Sequence, residues 1–163
     1  MNFRIFKCSE KAIFVYVACV LFSAHALGAI AATTLSKGRI EVTLHPLRAN
    51  TGKVFLSLSN TKEGFLGNND AYARAQVKVQ TQNRSGKLSY FVNHTFTDIP
   101  YGKYAIAWFH DVNDDNKMER NWMGIPVEPW GCSNHCAGLF GPRFKRALFS
   151  LDSSIIHIDM DGG

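Results

Sequence analysis

From about residue 38 onward the chain alternates apolar and polar positions with a period of two, which sends successive side chains to opposite faces of an extended strand. Ile40, Val42 and Leu44 alternate with Glu41 and Thr43. Beyond the Asn50-Thr51-Gly52 turn, Val54, Leu56 and Leu58 repeat the pattern, and the two runs read as a first hairpin. A Gly- and Asn-rich loop, Thr61 to Asp70, leads to a third strand over Ala73 to Gln80, with Ala75, Val77 and Val79 on one face. Ser85-Gly86 turns the chain into a fourth strand near Leu88 to Thr97. Ile99-Pro100-Tyr101-Gly102 has the composition of a tight turn, with Pro100 presetting its own φ and Gly102 able to take a positive one. The fifth strand, Tyr104 to Phe109, follows it.

Past His110 the alternation stops, through Gly124, Pro126, Pro129, Gly131, Gly138, Gly141 and Pro142, and resumes over Phe144 to Leu151 and Ile155 to Met160. A loop of this length in a compact domain is functional or is pinned by its own contacts. No segment has helical periodicity, and there are no repeats. The pattern predicts an all-β Greek-key sandwich of about seven strands, of immunoglobulin or transthyretin-like type.

The N-terminus changes the picture of where this sandwich works. Arg4, Lys7 and Lys11 precede an apolar run from Ala12 to Ala24 and a small-residue segment, Ala24 to Ala32, which is the three-part layout of a secretory signal peptide. Ala-x-Ala cleavage sites end at Ala26 and Ala31, and the later one leaves a polar start. Residues 1–31 are thus expected to be a leader and 32–163 a single domain of about 130 residues, enough to bury a core. Two alternatives use the same run: an uncleaved anchor over Ala12 to Ala32, the one way a membrane enters this reading, or a lipoprotein acylated at Cys19. The expected location is periplasmic or secreted.

Export also thins the charge. The chain has 18 Lys plus Arg against 13 Asp plus Glu; the leader removes three of the former and Glu10, leaving 15 against 12 and a net +3. A mild, scattered excess gives no case for nucleic acid as a partner. Arg143, Lys145 and Arg146 are the tightest basic group and read as a solvated strand edge.

Candidate chemistry concentrates after the fifth strand. Asp111, Asn113 and Asp115, with the Lys117 carbonyl and Glu119, fall at positions one, three, five, seven and nine of a calcium loop, where alternate side chains of a tight turn converge on a hard cation. Position twelve is Trp122 and no helix flanks the loop, so it is not an EF-hand; Glu128 is the nearby candidate for a missing acid. The same residues also read as an Asx-rich turn whose oxygens accept backbone N–H groups with no ion. A calcium ion, if bound, would pin the loop.

Cys132 and Cys136 are the cysteines left after export, and an oxidising compartment favours a disulfide between them. Cys132, His135 and Cys136 alternatively form three soft-metal ligands for copper or zinc, short of the four a structural site wants. His94 and His110 flank the Pro100 turn and, if the two strands pair, lie diagonally on one face. Trp122, Met123, Ile125, Val127 and Trp130 make the long loop apolar; the expectation is that they cap an open end of the sandwich, and the competing one is a ligand groove. No Ser, His and acid constellation or Gly-x-Ser-x-Gly setting supports nucleophilic catalysis.

Phe96-Thr97-Asp98-Ile99-Pro100-Tyr101-Gly102-Lys103-Tyr104-Ala105-Ile106, His110-Asp111-Val112-Asn113, Gly124 to Gly131 and Gly141-Pro142-Arg143-Phe144, in that order, resemble the bacterial family catalogued as domain of unknown function 2141. The resemblance runs from about Gly38 to the end. It implies an exported bacterial protein with a sandwich akin to transthyretin-like or carboxypeptidase-regulatory domains, and no known activity. The chain departs from the family pattern at Asn116, where relatives look to have Gly and where Asn is the next best residue at positive φ. It departs again at the paired cysteines 132 and 136.

The leading expectation is therefore a non-enzymatic binding or structural module whose partner is a protein, glycan or small ligand at the cell envelope. The alternatives are a metal-dependent hydrolase or redox protein using residues 110–119 and the cysteines, and a copper or zinc carrier using Cys132, His135 and Cys136.

Overall fold

The alternation of the sequence appears directly as burial in the computed structural model, which describes residues 36–66, 70–136, 138 and 141–162. The expected leader, with Cys19 and the cleavage sites at Ala26 and Ala31, lies outside them. Strand β1, Lys37–Leu44, buries Ile40, Val42 and Leu44. Strand β2, Lys53–Ser59, buries Val54, Leu56 and Leu58. Then follow β3 (Ala73–Lys78), β4 (Gln80–Arg84), β5 (Lys87–Pro100), β6 (Gly102–Asp111), β7 (Trp130–Cys132), β8 (Phe149–Leu151) and β9 (Ile155–Met160).

These strands form two sheets. The first has the order β4-β5-β1-β9 and the second β3-β2-β6-β7, with β8 paired to the start of β6. Ladders are antiparallel except β1 with β9, which run parallel. Ile40, Val42, Leu44, Val92 and Phe96 from the first sheet meet Val54, Leu56, Leu58, Ile106 and Trp108 from the second in one buried cluster, so the sheets face each other across a shared core. The described residues belong to one compact unit, 35–163. No helix among them is long and apolar enough to cross a membrane.

Three expectations about connectivity are corrected. The runs at 40–44 and 54–58 do not form a hairpin: β1 pairs with β5 and β9, whereas β2 pairs with β3 and β6. Alternation specifies which face of a strand is buried and not which strand lies beside it, and residues 45–52 are long enough to cross the roughly 10 Å between packed sheets. The Pro100 segment is likewise no tight turn. β5 continues through Pro100 and β6 starts at Gly102 in the other sheet, with Tyr101 alone between them. The Tyr104 hydroxyl donates to the Pro100 carbonyl at 2.9 Å, a tyrosine-to-backbone bond that fixes such a sheet crossing. The positive φ expected at Gly102 falls instead at Asp98 (φ 57), inside a bulge where the register skips from Gly38↔Ile99 to Ile40↔Phe96.

The third correction concerns Phe144 to Leu151. Phe144–Ala147 is a helical turn, and only Phe149–Leu151 is strand. A helical turn puts Phe144 and Ala147 on one side, where both pack into a second, smaller cluster with Phe65, Ala105, Ala107 and Cys136. The basic group Arg143, Lys145 and Arg146 thus sits at and on a helical turn and not on a strand edge. The fully exposed β4 lacks any apolar alternation; it forms because Ser85 (φ 53) and Gly86 (φ 84) make the two-residue turn that folds it onto β5.

Candidate functional site

The outer face of the second sheet carries the side chains that alternate with the core. Strand register arranges them in rows: Arg74, Ser57, Ala107 and Cys132 lie across from one another, then Gln76, Phe55, Phe109 and Trp130, then Lys78, Lys53 and Asp111. The Phe55 and Phe109 rings stack, with centroids 4.6 Å apart and planes 3° from parallel. They floor a groove of about 630 Å³ whose walls include Leu66, Met118, Pro126, Trp130 and Pro142. That volume lies within the range of small-ligand clefts. Arg74, Arg120, Gln76 and Asn116 supply polar lining, and none of the described residues that line it is acidic. Ser57 also lines it, is 7% exposed, and its buried hydroxyl has no hydrogen-bond partner.

The loop after β6 walls the groove because its backbone is tied down by buried carboxylates. Asp111, fully buried at the end of β6, accepts the Asp115 N–H at 3.1 Å on Oδ1 and the Asn116 N–H at 2.9 Å on Oδ2. Asn113 Oδ1 accepts the Asp115 N–H at 3.2 Å, Asp115 Oδ1 accepts the Lys117 N–H at 2.8 Å, and Asn113 Nδ2 donates to Glu119 at 2.9 Å. Glu128 closes the far side, accepting Val112 N–H at 3.0 Å and Glu119 N–H at 3.1 Å, one on each oxygen. Asp114 (φ 62) and Asn116 (φ 68) take the left-handed backbone these contacts require, as expected at Asn116. Lys53 pairs with Asp114 and stands 3.9 Å from Asp111.

Two neighbours hold this base to the sheet. The His110 ring bonds the Thr51 carbonyl through Nε2 at 2.8 Å, and the His110 N–H donates to the Pro129 carbonyl at 2.8 Å. Gly52 (φ 74) packs against the Asp111 carbonyl so closely that a Cβ would collide with it.

Every residue of the expected calcium set therefore lies in one loop, with the carboxylates of Asp111, Asp115 and Glu128 turned onto backbone N–H groups. Among the described residues no group of three or more His, Cys, Asp or Glu side chains is arranged as a metal site. Glu128, expected as a further acid for the ion, accepts N–H groups of the loop it closes.

Beyond Glu119 the chain makes a short finger. Arg120 bridges to Pro126, the Asn121 side chain accepts the N–H groups of Met123 and Ile125 at 3.0 Å each, and Arg120 Nη1 donates to the Gly124 carbonyl at 2.9 Å. The expectation that the loop's apolar residues cap the sandwich is overturned: Trp122 is 91% exposed, and Met123, Ile125 and Val127 are exposed as well. Backbone and polar bonds order the finger without burying its tip. Trp130 differs, standing against the groove.

Cys132 and Cys136 have their sulfurs at bonding distance, with Cα atoms 5.8 Å apart. Cys136 is fully buried and His135 exposed. Ser133, between them, is structural: its hydroxyl donates to the Ala147 carbonyl at 2.7 Å and accepts the Ile106 N–H at 3.0 Å. His94 and His110 are not brought together. His94 lies in the first sheet across from Val42, its pKa lowered by burial, while His110 is enclosed in the second.

Phe55, Ser57, Arg74, Phe109, Met118 and Arg120 were not expected from the sequence as groove residues. A signal was present, since Phe55 and Phe109 occupy outward positions of two apolar strands, where a solvated face would carry polar side chains.

Neither the comparison with curated proteins nor that with solved structures returned a match. The family model described as "Uncharacterized protein conserved in bacteria (DUF2141)" matches residues 42–159, which takes in both sheets, the carboxylate-tied loop and every groove residue. The chain belongs to this bacterial family.

Proposed function

We propose that this protein is an exported, non-enzymatic recognition module of the bacterial envelope, an immunoglobulin or transthyretin-type sandwich that holds a small apolar ligand on the outer face of its second sheet. One observation carries the reading: the stacked Phe55 and Phe109 form an apolar floor beneath walls ordered by Asp111 and Glu128. Apolar surface of that kind is stabilised by being covered, and a recessed floor suits a small molecule better than a flat protein face. The leader layout of residues 1–31 supports export. The hydrogen bonds already made by the loop carboxylates support a framing role for residues 111–128.

The test is an equilibrium titration with N-phenyl-1-naphthylamine, an uncharged apolar fluorophore. The reading expects saturable one-to-one binding that Phe109→Ser weakens at least about tenfold. Non-saturating partition, or binding indifferent to Phe109→Ser, would overturn it. Export is tested separately: N-terminal sequencing of chain recovered outside the cytoplasm should begin just after Ala26 or Ala31.

A further inference from the structure

We infer that the groove takes a single-chain anionic amphiphile, its acid group held by Ser57 and the arginines and its chain lying over the stacked phenylalanines. The inference rests on the binding reading above and names the ligand class.

Ser57 lines the groove with its buried hydroxyl unbonded. A hydroxyl buried without a partner is destabilising, and a polar ligand atom within reach of it would supply the missing bond. Arg74, the register partner of Ser57, also lines the groove, which places a serine and an arginine in one row. A guanidinium has five N–H donors in a planar fork suited to two acid oxygens. Arg120 adds a second guanidinium from the loop, oriented by its bond to the Gly124 carbonyl. With two arginines and no acidic side chain among the described residues of the lining, an anion is favoured there and a cation opposed.

The next row, Gln76, Phe55, Phe109 and Trp130, is mostly apolar. A ligand filling both rows therefore has an anionic end and an apolar body. The groove volume of about 630 Å³ lies in the small-ligand range, which suits one free single-chain acid.

The experiment uses protein purified after expression of the full 163-residue chain, with dodecanoate, dodecanol and dodecyltrimethylammonium titrated calorimetrically below their micelle concentrations. Dodecanoate should bind one to one, about tenfold or more tighter than dodecyltrimethylammonium. The paired change Arg74→Gln, Arg120→Gln should weaken dodecanoate about tenfold or more and dodecanol distinctly less, so that the preference over dodecyltrimethylammonium disappears. Arg74 and Arg120 are both exposed, and an unchanged melting temperature would confirm that the variant folds. Equal affinity for all three probes would overturn the anionic assignment and leave the groove reading standing. Failure of all three would overturn both. Association with anionic vesicles but with no free probe would also overturn the inference, pointing to a membrane surface.

Discussion

Ser57 and Ser59 are two residues apart on one strand, both on the outer face of the second sheet, and they meet opposite fates. The Ser59 hydroxyl donates to the Gly64 carbonyl at 2.6 Å beneath the 61–66 turn, and around it Phe65, Ala105, Cys136 and Ala147 seal the sheet. Phe65 meets Phe144 edge-on, with centroids 5.5 Å apart. The Ser57 hydroxyl has no partner, and the face beside it stays open over Phe55 and Phe109. Small residues, Ala107 and Ala105, stand opposite both serines, and the difference lies in the next row beyond Ser57, where Phe55 pairs with Phe109. The small Ala105 lets the covering segments descend to packing distance, whereas the stacked aromatic rings hold loop and sheet apart. One face thus contains a satellite core and an open groove, separated at Ala107, which borders both.

The comparison can be broken most forcefully at the loop that keeps the open half framed. Asp111→Ala strands two N–H groups beside a buried site and should cost about 3 kcal/mol, measured by urea unfolding, with hydrogen exchange rising over residues 112–119. Loss of the ring between Cys132 and Cys136, by the paired Ser substitution, should cost about 2 kcal/mol on chain-entropy grounds. The mass of the unreduced peptide carrying both cysteines should be two hydrogens below that of the reduced form. The serines give a matched pair. Ser59→Ala removes a satisfied buried bond and should cost about 1–2 kcal/mol, while Ser57→Ala should cost less than about 0.5 kcal/mol without ligand and weaken ligand binding. Equal costs would mean that Ser57 is already satisfied.

The smallest effect lies on the other sheet and serves as a control. Burial lowers the His94 pKa below its ordinary value near 6.5, so the folded protein resists a proton that the unfolded chain accepts. Stability attributable to His94 is then complete above about pH 6.5 and declines as pH falls from there through the lowered folded value. His94→Gln should flatten that part of the pH–stability curve and leave ligand binding untouched.

Strand positions at β1, β2, β5, β6 and β9 were legible because half-buried strands must alternate. Their partners were not, since Ile40 to Leu44 and Val54 to Leu58 bury their apolar faces equally well side by side or across a core. β4 was illegible because Gln-Thr-Gln-Asn-Arg owes its extended form to its neighbour. In the long loop the acidic base was readable, for Asp111 and Glu128 combine a strand end with a dense run of oxygen-bearing side chains. Its tip was misread because Trp122 and Met123 suggest burial, while the Asn121 side chain orders the finger without it. The groove escaped because its floor is built from outward positions on strands distant in sequence, Phe55 and Phe109, which only the register brings together.

Ligand lying on the stacked phenylalanines would register in an NMR shift map with N-phenyl-1-naphthylamine. Saturable shifts are expected at Phe55, Ser57, Phe109 and Trp130, with Ser59 and Ala105 unmoved. Shifts confined to the exposed finger at Trp122 to Val127, with the groove silent, would contradict it.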